Sequence, residues 1–316
     1  MEKYTVIEAP AQQQITSFGG ISADLFTRWT EYIDGSERTK ATYTANIKRF
    51  AAWLQDNSIT APTRADIVAY RDELKARLKP ATVHGYIVAV KLFFQWTESE
   101  NLYPNIAQRV KNTSVELFHK KDPLTSRQAQ NVLNSIDTDK LAGLRDYAII
   151  CLMLTTGLRT RSIMLANVGD IKPLGDNTVL YYQGKGHEEK DDFVKISAPV
   201  AAALTRYLTA RGETAPEEPL FTSAAHRNSG ERMTPRSISR IVKNALKAAG
   251  LESDRLTAHS LRHTAATLAM LNGASLNEVQ QLLGHKNINI TMVYLHTLER
   301  AKNSSTDRIT SAIFGE

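Results

Sequence analysis

The sequence predicts a mainly α-helical protein of two domains, an N-terminal four-helix bundle and a larger α-rich domain carrying a small β-sheet or hairpin. Apolar residues recur at helical spacing four times between residues 23 and 103. A stretch without periodicity follows at 105–122, and downstream the helical patterns are interrupted by one short β-like pair around a glycine-rich turn. With 316 residues, 42% of them hydrophobic, the chain is long enough for two cores.

Residues 1–19 are polar, with Gln12-Gln13-Gln14 and Gly19-Gly20, and read as an N-terminal lead. The bundle is expected over 20–104. Its first helix carries Leu25, Trp29 and Tyr32, and its second Tyr43, Ile47, Phe50, Ala51 and Leu54. The third carries Ile67, Tyr70 and Leu74 behind a Thr63/Asp66 capping box, and the fourth Val83, Tyr86, Ile87, Val90, Phe93 and Phe94, with Pro80 in its first turn. Trp29, Trp53 and Trp96 all fall at core spacing within it. Residues 105–122 read as a linker whose Lys111, His119, Lys120 and Lys121 either follow a phosphate backbone or are simply solvated.

A second domain is expected over 123–316. The apolar run 147–154 reads as a buried helix, closed by Thr155-Thr156-Gly157-Leu158-Arg159, which brings Arg159 out of the core onto a surface. Thr178-Val179-Leu180 is a strand entering Tyr181-Tyr182-Gln183-Gly184-Lys185-Gly186, and Phe193-Val194-Lys195-Ile196 is its return, with Lys185 near the tip. His259 and Arg262 share one face of a helix running to Leu271 and can reach one phosphate together. Gly273 stops that helix, and Ser275 with Glu278 caps a short one that Gly284 ends, leaving His285 in a turn. Tyr294 follows on another short helix, with Asn289 as its expected N-cap. His259, Arg262, His285 and the Tyr294 hydroxyl, all within 257–294, form a kit for attacking a phosphodiester. A phenol of pKa near 10 is a poor nucleophile until a base takes its proton and cations stabilise the developing charge.

A net charge of +6 and a pI near 9.2 suit a polyanionic partner. The single cysteine, Cys151, lies inside an apolar run and reads as packing, which excludes an intramolecular disulfide and a cysteine-rich zinc site. No basic-then-apolar leader pattern and no apolar run of membrane-spanning length is present, so no membrane partner and a cytoplasmic location are expected. A P-loop and an evident paired-carboxylate site are also lacking, so neither cofactor nor metal is expected.

Arg159, Lys185, His259-x-x-Arg262, Leu283-Gly284-His285 and Tyr294 stand in the order and at the intervals of the tyrosine recombinases, and over roughly residues 20–300 the chain resembles a phage-integrase or Xer-type member of that family. The resemblance implies a SAM-like core-binding fold for the bundle and the tyrosine recombinase catalytic fold for 123–316. It implies a site-specific recombinase in which Tyr294 attacks the scissile phosphate, forming a 3′-phosphotyrosyl link and a free 5′-hydroxyl. Arg159 and Arg262 would clamp the non-bridging oxygens, Lys185 protonate the leaving 5′-oxygen, His259 assist proton transfer and His285 donate to the phosphate. Its partners would be a double-stranded recombination site, further copies of the chain forming a tetramer on two sites, and accessory proteins. The apolar tail of Ile309, Ala312, Ile313 and Phe314 would dock between protomers or pack on its own domain, and Lys40, Lys48, Lys79, His84 and Lys91 are candidate DNA contacts from the bundle.

Two positions depart from the family pattern. An acidic residue usually stands three positions after the first arginine to hold its guanidinium, where this chain has Ser162. The usually basic hairpin reads His187-Glu188-Glu189-Lys190-Asp191-Asp192, which makes Lys190 a second candidate for the lysine role. These departures leave a DNA-binding regulator without catalysis as an alternative, and relaxation of supercoils by the same chemistry, as in type IB topoisomerases, stands as another.

Overall fold

The chain divides into two compact units, Met1–Glu116 and Leu117–Glu316. The computed structural model describes residues 23–114, 121–184, 186–301 and 304–315; the lead 1–19, His119, Lys120 and Lys185 lie outside them.

The first unit consists of α1 (Ala23–Tyr32), α2 (Glu37–Asp56), α3 (Arg64–Arg77) and α4 (Pro80–Ser99). Helix α4 is apolar on most of its circumference, burying Val83, Ile87, Val90, Phe93, Phe94 and Trp96, and the other three helices pack around it. Trp29 meets Phe93 edge-on at 5.5 Å and Phe50 meets Phe94 at 6.2 Å, so aromatic pairs set the helix spacing. The Thr63/Asp66 capping box is present, with the Thr63 amide donating to Asp66 Oδ2 at 2.7 Å. Trp29 and Trp96 are buried, while Trp53 sits at the edge and donates Nε1–H to Glu73 Oε2 at 2.5 Å. The core runs beyond α4 into the expected linker, because Ala107 and Val110 are buried in it and Arg71 donates to the Lys111 carbonyl at 2.8 Å.

The second unit is built on α6 (Leu141–Thr156), whose residues from Ala148 to Leu154 are all buried, Cys151 among them. Around it pack α5 (Ser126–Asn134), α8 (Ala198–Arg211), α9 (Pro235–Ala248) and α10 (Ala258–Leu271). The short α7 (Thr160–Leu165) leads into an antiparallel sheet of β1 (Ile171–Leu174), β2 (Asn177–Tyr182) and β3 (Asp192–Ile196), in that order. The sheet has three strands rather than the expected pair. Strand β1 is four residues long and contains Pro173, which is tolerated at a sheet edge and gives no alternating pattern. The chain ends with α11 (Leu276–Leu283), α12 (Asn289–Ala301) and α13 (Ser305–Phe314). The Ser275/Glu278 box caps α11 as expected; before α12 it is Asn287, not Asn289, whose side-chain oxygen accepts the exposed amide, from Asn289 at 2.9 Å.

Gly143, in the first turn of α6, packs directly on the turn before it, and a Cβ there would lie 1.7 Å from the Asp137 carbonyl oxygen. The clash is with backbone, which cannot swing away. Gly143→Ala is expected to destabilise the second unit by about 1–3 kcal/mol, measured as a lower urea midpoint.

Candidate active site

Helix α6 ends at Gly157, whose φ of +64° forms a left-handed C-cap, and the chain turns at once into α7 with Arg159 as its N-cap residue. A Cβ on Gly157 would lie 2.7 Å from Leu283 Cδ2, so this turn rests directly against the end of α11. Arg262, four per cent exposed on α10, crosses the same junction. It donates Nη1–H to the Gly157 carbonyl at 2.7 Å and Nη2–H to the Leu283 carbonyl at 2.5 Å. One guanidinium thus ties together the turn bearing Arg159, its own helix, and the turn bearing Gly284 and His285.

These elements enclose a cleft of about 560 Å³ lined by Arg159, Arg161, Lys243, His259 and Arg262, with hydroxyls from Thr160, Ser239 and Thr257 and, among the described residues, no carboxylate. The Arg159 guanidinium has no hydrogen bond or ion pair among the described residues. Burial lowers its pKa. Burial and then the charge of Arg159 lower that of Arg262 to about 10, so both stay cationic at neutral pH. Two like charges held together in a half-dry cleft are relieved by an anion, and forked guanidiniums match phosphate oxygens.

The nucleophile candidate lies beside this cleft. Tyr294, on α12, is buried with Ala266, Val279 and Leu283, and its hydroxyl is 2.6 Å from His263 Nδ1. The His263 ring stands edge-on to that of the exposed His259 at 4.8 Å, so the imidazole that meets the phenol packs against the one at the cleft. Burial raises the Tyr294 pKa to about 12, against the opposing pull of Arg262 and Arg159. His285 is buried in the turn after α11, with Nδ1 2.9 Å from Thr291 Oγ1 and its backbone amide donating to the Gln280 carbonyl. Among the candidates, therefore, Arg159, His259 and Arg262 line the cleft, Tyr294 lies within electrostatic reach of both arginines, and His285 follows the turn that Arg262 holds.

Lys190 is committed elsewhere, its ammonium paired with Asp170 Oδ2 at 2.5 Å. Ser162 is buried and donates to the Gln183 carbonyl at 3.0 Å. Helix α9 adds a feature not anticipated. Opposite its buried Ile238, Ile241, Val242 and Ala245 it carries Arg236, Arg240, Lys243 and Lys247 at helical spacing, and Ser239 and Lys243 from this side reach the cleft wall. Its sequence signal is that three-to-four-residue cationic period. In the first unit, Lys40 pairs with Glu37 at 3.1 Å, Lys48 lies 5.5 Å over the Phe26 ring, Lys79 is exposed at the N-cap of α4, and Lys91 is half-buried. His84 turns Nδ1 to the Thr113 carbonyl at 3.0 Å, an interaction with its own chain. Among the described residues no group of acidic, histidine or cysteine side chains could hold a metal ion, and no helix is long and apolar enough to cross a membrane.

The phage integrase family model matches residues 122–300, and the model for the phage integrase N-terminal SAM-like domain matches 25–103. Tyrosine recombinase XerD of Lacticaseibacillus casei is 30% identical over 283 residues, covering 88% of this chain and 94% of the relative. Tyrosine recombinase XerC of Corynebacterium glutamicum is 33% identical over 227 residues, covering 71% and 70%. Among solved structures, the XerH site-specific recombinase in a post-cleavage complex with palindromic difH aligns with a TM-score of 0.73 at 20% identity, covering 91% of this chain and 86% of that one. A lambda integrase tetramer bound to a Holliday junction aligns at 0.64 and 18% identity, covering 89% and 79%. The chain belongs to the phage integrase family, the tyrosine recombinases. Its fold is accordingly the SAM-like bundle followed by the α-rich catalytic domain of that family.

The buried phenol gives a direct check. Because its folded pKa of about 12 lies above the unfolded value near 10, its contribution to stability is complete below about pH 10 and is lost as pH rises toward 12. A difference titration at the phenolate absorption band, wild type minus Tyr294→Phe, is expected to show Tyr294 still un-ionised at about pH 11.

Proposed function

We propose that this chain is a Xer-type site-specific DNA recombinase whose chemistry runs in the Arg159–Arg262 cleft, with Tyr294 as nucleophile. The observation that carries the reading is the conjunction of two arginines and a histidine in one cleft, which no carboxylate among the described residues lines, with a buried tyrosine beside it. The Tyr294 hydroxyl gives its proton to His263 Nδ1, whose ring packs edge-on against His259 at the cleft, and the oxygen attacks the scissile phosphorus. Arg159 and Arg262 hold the non-bridging oxygens as charge builds on them, and His285 donates to the same phosphate. The 5′-oxygen leaves with a proton from Lys185. The phosphotyrosyl ester conserves the energy of the broken bond, so another strand's 5′-hydroxyl reseals DNA by the reverse attack, with no metal or nucleotide.

The basic side of α9, continuous with the cleft wall, suits a phosphate backbone, and Lys40, Lys48, Lys79 and Lys91 supply further contacts from the bundle. Helix α13 exposes Ile309, Ile313 and Phe314 at 58%, 67% and 73%, and a second copy of the chain within a tetramer on two DNA sites would cover them. Such an enzyme works where DNA is, in the cytoplasm, together with any accessory proteins its site requires.

The test begins by trapping covalent adducts on genomic DNA of the source organism and sequencing the attachment points. A synthetic duplex carrying that site, nicked next to the scissile phosphate, is expected to yield an adduct with the wild type and none with Tyr294→Phe; no enrichment of any site, or an adduct with Tyr294→Phe, contradicts the reading. On the same duplex, Arg236→Ala and Arg240→Ala are each expected to reduce the slope of log affinity against log salt by about 1, while Tyr294→Phe leaves it unchanged.

A further inference from the structure

The cleft poses an electrostatic problem that its own lining does not solve. Arg159 and Arg262 line it together, and among the described residues no carboxylate lines the cleft and no ion pair reaches either guanidinium. Ser162, on α7 just after Arg159, offers only a hydroxyl, already donated to the Gln183 carbonyl. The backbone carbonyls that Arg262 engages are dipoles and leave the net charge in place.

An anionic group does reach this region from the sheet. Tyr182, three per cent exposed at the end of β2, donates its hydroxyl to Asp192 Oδ2 at 2.5 Å, and the two residues are register partners across β2 and β3. The pair is pressed against the turn that Arg262 holds. Gly284, at φ +58°, has no side chain there, and a Cβ would lie 2.8 Å from the Tyr182 hydroxyl and 3.2 Å from Asp192 Oδ2. The arginines in turn act on the phenol, since Arg262 and then Arg159 pull its pKa down while burial, first, and the bond to Asp192 push it up. A hydroxyl that donates to a carboxylate becomes more electron-rich at oxygen, and in a dry setting that polarisation reaches neighbouring cations.

We propose that the Tyr182–Asp192 pair is the anionic support of the Arg159–Arg262 clamp, relaying the charge of Asp192 through the Tyr182 oxygen and fixing both guanidiniums for the phosphate. Tyr182 and Asp192 are positioning residues and touch no reacting atom. The same bond keeps the Tyr182 proton in place, so the second buried tyrosine beside these arginines does not compete with Tyr294. The inference rests on the recombinase reading of this cleft.

The experiment uses the full chain and the nicked duplex carrying the mapped site, with Tyr182→Phe, Asp192→Asn, the double variant, and Asp192→Asn combined with Ser162→Asp. Adduct-forming rate constant, duplex affinity and melting temperature are measured for each. Each single variant is expected to slow adduct formation by about 10–100-fold with affinity within about threefold and melting unchanged. Two residues acting as one relay predict a double variant no slower than the slower single. A carboxylate returned at position 162 is expected to recover at least about tenfold of the rate lost in Asp192→Asn, which a packing role would not produce. Single variants at the wild-type rate, losses that multiply in the double variant, or losses that track a fall in melting temperature overturn the proposal. A wild type that forms no adduct overturns the recombinase reading and this inference together; an active wild type with unaffected variants overturns this inference alone.

Discussion

A single buried guanidinium organises the second unit's chemistry. Arg262 spans the Gly157 and Leu283 carbonyls, and those two contacts decide where Arg159 emerges, where the His285 turn sits and how α12 brings Tyr294 alongside. Hydrogen bonds from a charged donor are strong because the alternative, a buried cation without acceptors, costs several kcal/mol. Gly157 and Gly284 present bare backbone beside these contacts, where a Cβ would press on Leu283 in one case and on Tyr182 in the other. What the tether leaves is a pair of cations in a cleft that no carboxylate among the described residues lines.

Tyr294 lies buried within electrostatic reach of both arginines. Burial makes the Tyr294 phenol hard to ionise, and the arginines and His263 oppose that effect from one side. Desolvation therefore keeps the hydroxyl un-ionised at neutral pH. A second tyrosine, Tyr182, is exposed to the same two arginines yet donates its proton to a carboxylate instead of facing an imidazole. The partner of each hydroxyl separates their roles.

Much of this was legible in the chain, because local rules govern it. Helical periodicity located α1 to α4 and the buried α6, and the capping boxes at Thr63 and Ser275 marked helix starts, since these signals depend on residues within one turn of each other. The spacing of His259 and Arg262 put both in the cleft, as a shared helix face requires. Long-range partners were not legible. Nothing near His263 announces Tyr294, 31 positions away, and nothing near Asp192 announces that its carboxylate meets a phenol across the sheet. Strand β1 escaped because an edge strand with a proline need not alternate, and the core position of Val110 because it packs on a bundle whose periodicity ends earlier. The cationic side of α9 carried a periodic signal, visible once Ile238, Ile241 and Val242 are taken as its buried side.

Arg262→Lys tests the tether most directly, because lysine keeps the positive charge and removes the fork that joins the two carbonyls. Single-turnover cleavage of the nicked duplex, measured with duplex affinity and melting temperature, separates charge from geometry. The Arg262→Lys variant is expected to fold, to bind the duplex and to form adduct at least about 100-fold more slowly. Cleavage at the wild-type rate by that variant would contradict the role of the tether.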